Sequence, residues 1–336
     1  MPVRTLRTIA GAGPPGAPDR FVYAAQVADV LLKRLAYLGP EGTFAEAALR
    51  TLPDAATAVL LPEPTVHAAI DAIRTGSADA ALVPLENSVE GSVPSTLDEL
   101  ADGEPLVIIR EVFLRVRFAL LVRPGTPLAE VTSVATHPHG EAQVRGWLRA
   151  NLPGAAVALT GSTAGAAAAV AQGEFDAAVA APIAAEHHRL VIAADDLADH
   201  QGAVTRFVLL APAGHLPART GNDRTSLVAF IREDHTGALL EVLTEFAVRG
   251  INLTRIESRP TKEQLGRYCF SIDCEGHLLD ARVGDALAAV HRICTDVRFL
   301  GSYPHSEGSS LPLPPGRDDA AFAESASWLA RLRRNA

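Results

Sequence analysis

The sequence predicts an α/β protein made of two successive units, and three observations carry that reading. From residue 35 to 212, short apolar runs alternate with Ala-rich helical stretches. Strands alternating with helices imply one layered α/β unit. Residues 213–223 are rich in Pro, Gly and small polar side chains and read as a linker. From 224 to 304 the order is strand, helix, strand, strand, helix, strand, a ferredoxin-like arrangement.

In the first unit, strands are expected at 36–38, 80–85, 106–112, 118–122, 133–136, 156–159, 177–181 and 207–210. All are apolar runs too short for helices. Helices are expected at 44–51, 66–75, 95–101, 141–151, 163–172 and 183–189. Such alternation predicts parallel strands, with ligands at their carboxyl ends or between lobes. In the second unit, 225–231 reads as a strand. Leu239, Leu240, Leu243, Phe246 and Ala247 then recur at helical spacing within 237–249. A strand follows at 251–259. Tyr268, Phe270 and Ile272 next alternate with Cys269, Ser271 and Asp273, the pattern of a half-buried strand. Val283, Leu287, Val290 and Cys294 mark the second helix, and 297–303 the last strand. Residues 1–34 read as a flexible extension, or as the product of a start codon assigned too far upstream. Residues 305–336 read as a tail whose 320–334 stretch forms a frayed or loosely docked helix.

Composition narrows the function. Of 336 residues, 48% are hydrophobic and 21% charged, which excludes a disordered chain, a collagen-like repeat and a disulfide scaffold. The net charge is -9, and the only lysines are Lys33 and Lys262. No basic block stands out, so neither nucleic acid nor a membrane surface is an expected partner. The three cysteines, Cys269, Cys274 and Cys294, are odd in number and lack Cys-x-x-Cys spacing. They suggest small buried thiols in a reduced, cytoplasmic protein. No apolar run reaches the ~18–20 residues of a membrane span, and the first residues lack a signal-peptide core.

Six segments could carry chemistry. In Tyr37-Leu-Gly-Pro-Glu-Gly-Thr-Phe44, two glycines permit a tight turn before Thr43 caps a helix able to hold an anion. Glu86, Asn87 and Ser88 follow an apolar strand and would place a carboxylate, an amide and a hydroxyl in a cleft. In Thr136-His-Pro-His-Gly-Glu-Ala-Gln143, Pro138 stops a strand and brings Gln143 near Thr136. The paired histidines lack a ligand set, so no metal is expected. Ser162 and Thr163 open another helix and could hold a carboxylate. Thr205, Arg206 and Phe207 open a strand, where Thr205 could donate a proton and Arg206 could face an acidic substrate. In the second unit, Gly237, Ala238 and Leu239 start a helix, while Glu257, Ser258 and Arg259 end a strand. No Gly-x-Ser-x-Gly elbow, P-loop or Gly-x-Gly-x-x-Gly is present, so no cofactor is expected.

In this order the segments resemble the monofunctional prephenate dehydratase family. The resemblance rests on Gly39–Phe44, Pro84–Ser88 and Thr205–Phe207, with 224–304 similar to an ACT regulatory domain. It spans 35–304. It implies a two-lobed, periplasmic-binding-protein-like (type II) domain followed by the ACT domain. It also implies decarboxylating dehydration of prephenate to phenylpyruvate, controlled by L-phenylalanine. Thr205 would be the proton donor, with Glu86 its rival. Thr43, Asn87, Ser88, Thr136, Gln143, Ser162, Thr163, Arg206 and Phe207 would bind substrate, Arg206 being either a carboxylate clamp or an interlobe ion pair. Gly237, Ala238, Leu239, Glu257, Ser258 and Arg259 would bind phenylalanine. ACT pairing would give a homodimer or homotetramer. Two departures stand out. The run before Thr205 is His200-Gln-Gly-Ala-Val204, where the family often has Asn, so that contact is either missing or supplied by Gln201; and Thr136 stands where the family often has Ser. An arogenate dehydratase, or a non-catalytic amino-acid-sensing binding protein, would share this layout.

Overall fold

The computed structural model describes residues 32–335, except 201, 215, 233–234, 262–266, 307–312 and 314. Of the expected extension 1–34, residues 1–31 lie outside the described residues, as does the role given to Gln201; residues 32–34 belong to the fold, with Leu32 buried in the core and Arg34 opening β1.

The chain runs β1 (Arg34–Leu38), α1 (Phe44–Leu49), β2 (Val59–Glu63), α2 (Val66–Arg74), β3 (Ala80–Asn87), β4 (Gly91–Ser92), α3 (Pro94–Ala101) and β5 (Leu106–Arg115). It then crosses into β6 (Ala119–Val122), β7 (Ser133–Thr136), α4 (Pro138–Asn151), β8 (Ala156–Leu159), α5 (Thr163–Gln172), β9 (Ala177–Ala180), α6 (Ile183–His188) and β10 (Val191–Ala194). β11 (Val204–Pro212) returns to the first sheet. Two sheets result, ordered β2-β1-β3-β11-β5 with β4 on β3, and β10-β6-β9-β7-β8. Each is a lobe, and the chain passes between them twice.

That double passage corrects the all-parallel expectation. β11 re-enters antiparallel to both β3 and β5, and β6 lies antiparallel to β9 and β10. Three strands escape the sequence pattern, the shortest being the two-residue β4. β2 carries Pro62, which a strand tolerates at a sheet edge, and β10 is four residues on the other sheet's edge.

The second unit has β12 (Asp223–Ile231), α7 (Ala238–Ala247), β13 (Leu253–Pro260), β14 (Tyr268–Glu275), α8 (Ala281–Ile293) and β15 (Cys294–Pro304), in sheet order β13-β14-β12-β15. One face packs Leu227, Phe270, Ile272 and Cys274 under α7 and α8 through Val242, Phe246, Val283 and Val290. The other face carries Cys269, Ser271 and Asp273, and the half-buried pattern assigns its polar residues Ser271 and Asp273 to solvent. All three are buried, because this face lies on the first lobe. Cys269, Val228, Leu300 and Tyr303 share a core with Ile73, Leu97 and Ile108. Gly301 shows how close the approach is: a Cβ there would sit 2.4 Å from the Ile108 carbonyl oxygen, and its φ is +125°. Finally α9 (Asp319–Asn335) leads off the second unit, with Asp319 held by Arg219 and by the Ala281 N–H.

Candidate active site

β1 and β3 are parallel, and β11 starts beside the end of β3, so Thr43, Asn87 and Thr205 share one edge of the first sheet. β8 and β9 each run parallel to β7, so the starts of α4 and α5 share one edge of the second. These edges meet across a cleft. Gln143 Nε2 donates to Glu90 Oε1 at 3.3 Å. His187 Nε2 lies 2.9 Å from Glu46 Oε1, and the Phe44 and Phe118 rings meet edge to face at 5.2 Å.

Thr205 and Asn87 form the chemical pair of this edge. Asn87 Oδ1 accepts from the Val89 and Glu90 N–H groups, which fixes the amide. Its Nδ2 must then donate, and it does so to Thr205 Oγ1 at 2.8 Å. The Thr205 hydroxyl therefore acts as acceptor toward Asn87 and keeps its own proton for a ligand. Ser88 ties the two strands: its Oγ accepts from the Val204 N–H and its N–H donates to the Val204 carbonyl.

Several expected substrate contacts have other partners. Thr43 Oγ1 donates to the Leu38 carbonyl and caps α1, while Glu46 Oε2 takes the Gly42 N–H at 2.6 Å. The anion position before α1 is thus filled by the chain's own carboxylate. Burial works against that charge, but the Gly42 N–H, Arg50 and His187 outweigh it and hold Glu46 below the usual carboxylate range. Thr136 is fully buried and donates to the Val179 carbonyl. Gly140 leaves room for it, since a Cβ there would lie 2.6 Å from Thr136 Oγ1. Ser162 Oγ caps α5 through the Gly165 N–H. Thr163 remains half-buried at the first turn of that helix. His137 caps α4 through Nδ1, and burial together with His139 lowers its pKa. Phe207 lies in the core with Tyr37, Leu82 and Val112, so it is a packing residue.

Arg206 and Glu86 also leave the cleft. Successive strand residues face opposite ways, so Arg206 points away from Thr205, toward the second unit. It is 2% exposed and donates to Glu111 Oε2, Glu86 Oε1, Asp273 Oδ2 and the Tyr303 hydroxyl at 2.6–2.9 Å. Arg206 is thus ion-paired within the first lobe and to the second unit, not from lobe to lobe. Glu86 Oε1 accepts from that guanidinium at 2.9 Å, so this carboxylate is engaged with Arg206.

The effector residues divide similarly. Gly237, with φ +97°, opens α7, and Ser258 is exposed on the edge strand β13 at the same end of the sheet. Glu257 and Arg259 instead face the first lobe, Glu257 accepting from Ser92 Oγ at 3.1 Å and Arg259 pairing with Asp98 at 2.9 Å.

Sequence reasoning missed Glu111, Asp273, Tyr303, Arg224 and Arg255. For the four charged residues the signal was a charge inside an apolar strand, as in Phe270-Ser-Ile-Asp-Cys274. On a one-faced sheet that reads as the solvent side.

Fold and site define a class: a two-lobed α/β domain with a polar pair at the lobe junction and an attached regulatory module. Residues 35–214 match the family model for prephenate dehydratase, and 226–292 match that for the ACT domain. A prephenate dehydratase of Amycolatopsis methanolica is 51% identical over 304 residues, covering 90% of this chain and 99% of the relative. The crystal structure of prephenate dehydratase from Arthrobacter aurescens, in complex with L-Phe, is 46% identical with TM-score 0.85, covering 90% and 99% of the two chains. A further structure, 32% identical with TM-score 0.74 over 82% of this chain and 98% of its own, is described as a novel type of quorum-quenching acylase. Fold alone thus does not decide the chemistry. The chain belongs to the prephenate dehydratase family and is a carbon–oxygen lyase.

Proposed function

We propose that the protein converts prephenate to phenylpyruvate, water and CO2 in the cleft between its lobes, with Thr205 as the donor to the departing hydroxyl. The observation that carries this is the Asn87–Thr205 pair: the amide donates at 2.8 Å and leaves the hydroxyl proton directed to a ligand. Prephenate is a cyclohexadiene one elimination away from aromaticity. As the ring C–O bond breaks, its oxygen takes a proton and leaves as water. The C–C bond to the ring carboxylate breaks with it, its electron pair enters the ring, and CO2 departs. A Thr hydroxyl is a poor free acid. It serves as a donor whose bond strengthens as charge builds on the oxygen, within a chain that water re-protonates. Gln143 and the first-turn N–H groups of α5, with Thr163, are the proposed holders of the carboxylates.

L-Phenylalanine is the proposed effector, held near the start of α7 and the Ser258 end of β13. β13 is an edge strand with Ile256 42% exposed, which supports side-by-side pairing of two chains into a homodimer or a homotetramer. The three cysteines are free and buried, and burial pushes Cys274 up to about 12 and Cys294 up to about 11. Unreactive thiols of this kind support a reduced, cytoplasmic location. Among the described residues no helix is long and apolar enough to cross a membrane.

The test is phenylpyruvate release from prephenate by purified protein, with and without L-phenylalanine. Phenylalanine-sensitive release is expected. Stabilisation by an amino acid without turnover would point to the sensor reading, and turnover of arogenate alone to the other dehydratase.

A further inference from the structure

The cluster around Arg206 joins the reacting end of β11 to the ACT sheet, and its chemistry differs from ordinary interdomain packing. Three guanidiniums, Arg206, Arg224 and Arg255, meet three carboxylates, Glu86, Glu111 and Asp273. Arg206, Glu111, Asp273 and Tyr303 are each no more than 2% exposed. Buried charges of this kind contribute little net stability compared with apolar residues of the same volume. What they do impose is geometry, because a guanidinium fork satisfies several acceptors in one orientation only.

That geometry is applied one residue from Thr205. The β3–β11 ladder pairs Arg206 with Glu86 but Phe207 with Pro84, so Leu85 is an extra residue on β3. A bulge re-aims the side chains beside it, and this one lies directly next to the Asn87–Thr205 pair. A second contact reaches the same place. Glu257 accepts from Ser92 on β4, and β4 pairs Ser92 with Glu86 and Gly91 with Asn87. Arg255, two residues before Glu257 on β13, holds Asp273 at 3.2 Å. The strand that carries the exposed Ser258 thus touches the catalytic edge by both routes.

We propose that Arg206 and Asp273 are positioning residues: the ACT sheet sets the placement of the Thr205 hydroxyl through the Arg206 guanidinium. Arg255 links that placement to β13, so movement of this edge strand alters turnover through Asp273. Burial opposes ionisation of Asp273, but Arg255 and Arg206 outweigh it and keep the carboxyl well below its ordinary range. The anchor is therefore charged throughout the working pH range.

The inference rests on the dehydratase reading, and the experiment separates the two. Asp273→Asn, Arg206→Lys and Arg255→Gln are compared with wild type for kcat, KM for prephenate, calorimetric L-phenylalanine affinity and thermal unfolding. A misplaced donor should lower kcat of Asp273→Asn and Arg206→Lys by about 10- to 100-fold, with KM within about twofold. The double variant should be no slower than the worse single, since both act through one contact. Arg255→Gln should lower kcat by less than Asp273→Asn does and bind phenylalanine normally, yet its rate ratio with and without phenylalanine should move toward one. Folded variants with wild-type kcat and wild-type phenylalanine response would overturn the inference. So would Arg206→Lys with raised KM and unchanged kcat, which is the behaviour of a substrate clamp. Wild-type protein that releases no phenylpyruvate would instead remove the dehydratase reading and the inference with it.

Discussion

Thr205→Val tests the central assignment at nearly constant shape. Thr205 is 8% exposed, and its hydroxyl accepts from the Asn87 amide at 2.8 Å. Replacing it with a methyl leaves that amide donor without its acceptor, which costs roughly 1–2 kcal/mol of stability. For a unit of this size that is a drop in Tm of about 2–8 °C. The effect on chemistry should be larger. A donor aimed at developing charge in a closed site is worth on the order of 100- to 1000-fold in kcat, about 2.7–4 kcal/mol. Because the bond strengthens only as the oxygen leaves, KM should stay within about twofold. Thr205→Ser keeps the donor and should keep most of the rate. Asn87→Ala added to Thr205→Val should cause no further loss, since Asn87 works through the hydroxyl. The assay is steady-state phenylpyruvate formation on protein shown by thermal unfolding to be folded. A kcat for Thr205→Val within about threefold of wild type would refute the reasoning, the expected loss being at least about 100-fold. Glu86→Gln should lose less than Thr205→Val. If it lost more, the proton would come from Glu86 after all.

Three further outcomes follow from the geometry. Phe207→Ala should destabilise the first lobe by about 3–5 kcal/mol in urea unfolding, with KM of the folded fraction unchanged; a raised KM would return Phe207 to the substrate. Gly301→Ala brings a Cβ to 2.4 Å from the Ile108 carbonyl at φ +125°, so it should loosen the ACT sheet from the first lobe, read as faster amide exchange in β15. Unchanged exchange would contradict that contact. For Glu46 the folded carboxyl lies below its ordinary 4.5, so its contribution is present above that pH and is lost as pH falls through the lower folded value. Wild-type stability should therefore decline more steeply than that of Glu46→Gln on the acid side, and parallel curves would show that the Gly42–Glu46–His187 contacts do not couple to folding.

How much of this was legible in the sequence depended on whether a residue's partner lay nearby in the chain. Turn, cap and strand-end residues announce themselves locally. Thr43, Asn87, Ser162 and Thr205 all fall where expected, at the ends of elements beside the cleft. What such a motif leaves open is the direction of each hydroxyl. Thr136 and Ser162 look identical to ligand-binding residues until the Val179 carbonyl and the Gly165 N–H are seen to occupy them. The antiparallel return of β11 was likewise hidden, because no local pattern records that the chain leaves a sheet after Arg115 and rejoins it at Val204. Asp273 was the hardest case. Its alternation with Phe270 and Ile272 is genuine, but the polar side of that strand meets the first lobe.

The tripeptide Thr205-Arg-Phe207 shows why a short motif can serve two domains at once. A strand in a sheet buried on both faces has two sides and an end, and here each is used differently. Phe207 fills the core beside α1, Arg206 reaches through the opposite face to the ACT sheet, and Thr205 stands at the edge where the lobes meet. Any displacement of the ACT sheet that moves Asp273 relative to Glu111 must be absorbed by Arg206, because Glu111, Glu86, Asp273 and Tyr303 all accept from it within 2.9 Å. Phe207 resists the same displacement, being locked in a close-packed core. The strain then passes to the end of the strand, where the Thr205 hydroxyl accepts from the Asn87 amide. Under the proposed function this strand end carries the donor, so a distant domain can act on it through Arg206 without any contact between effector and substrate.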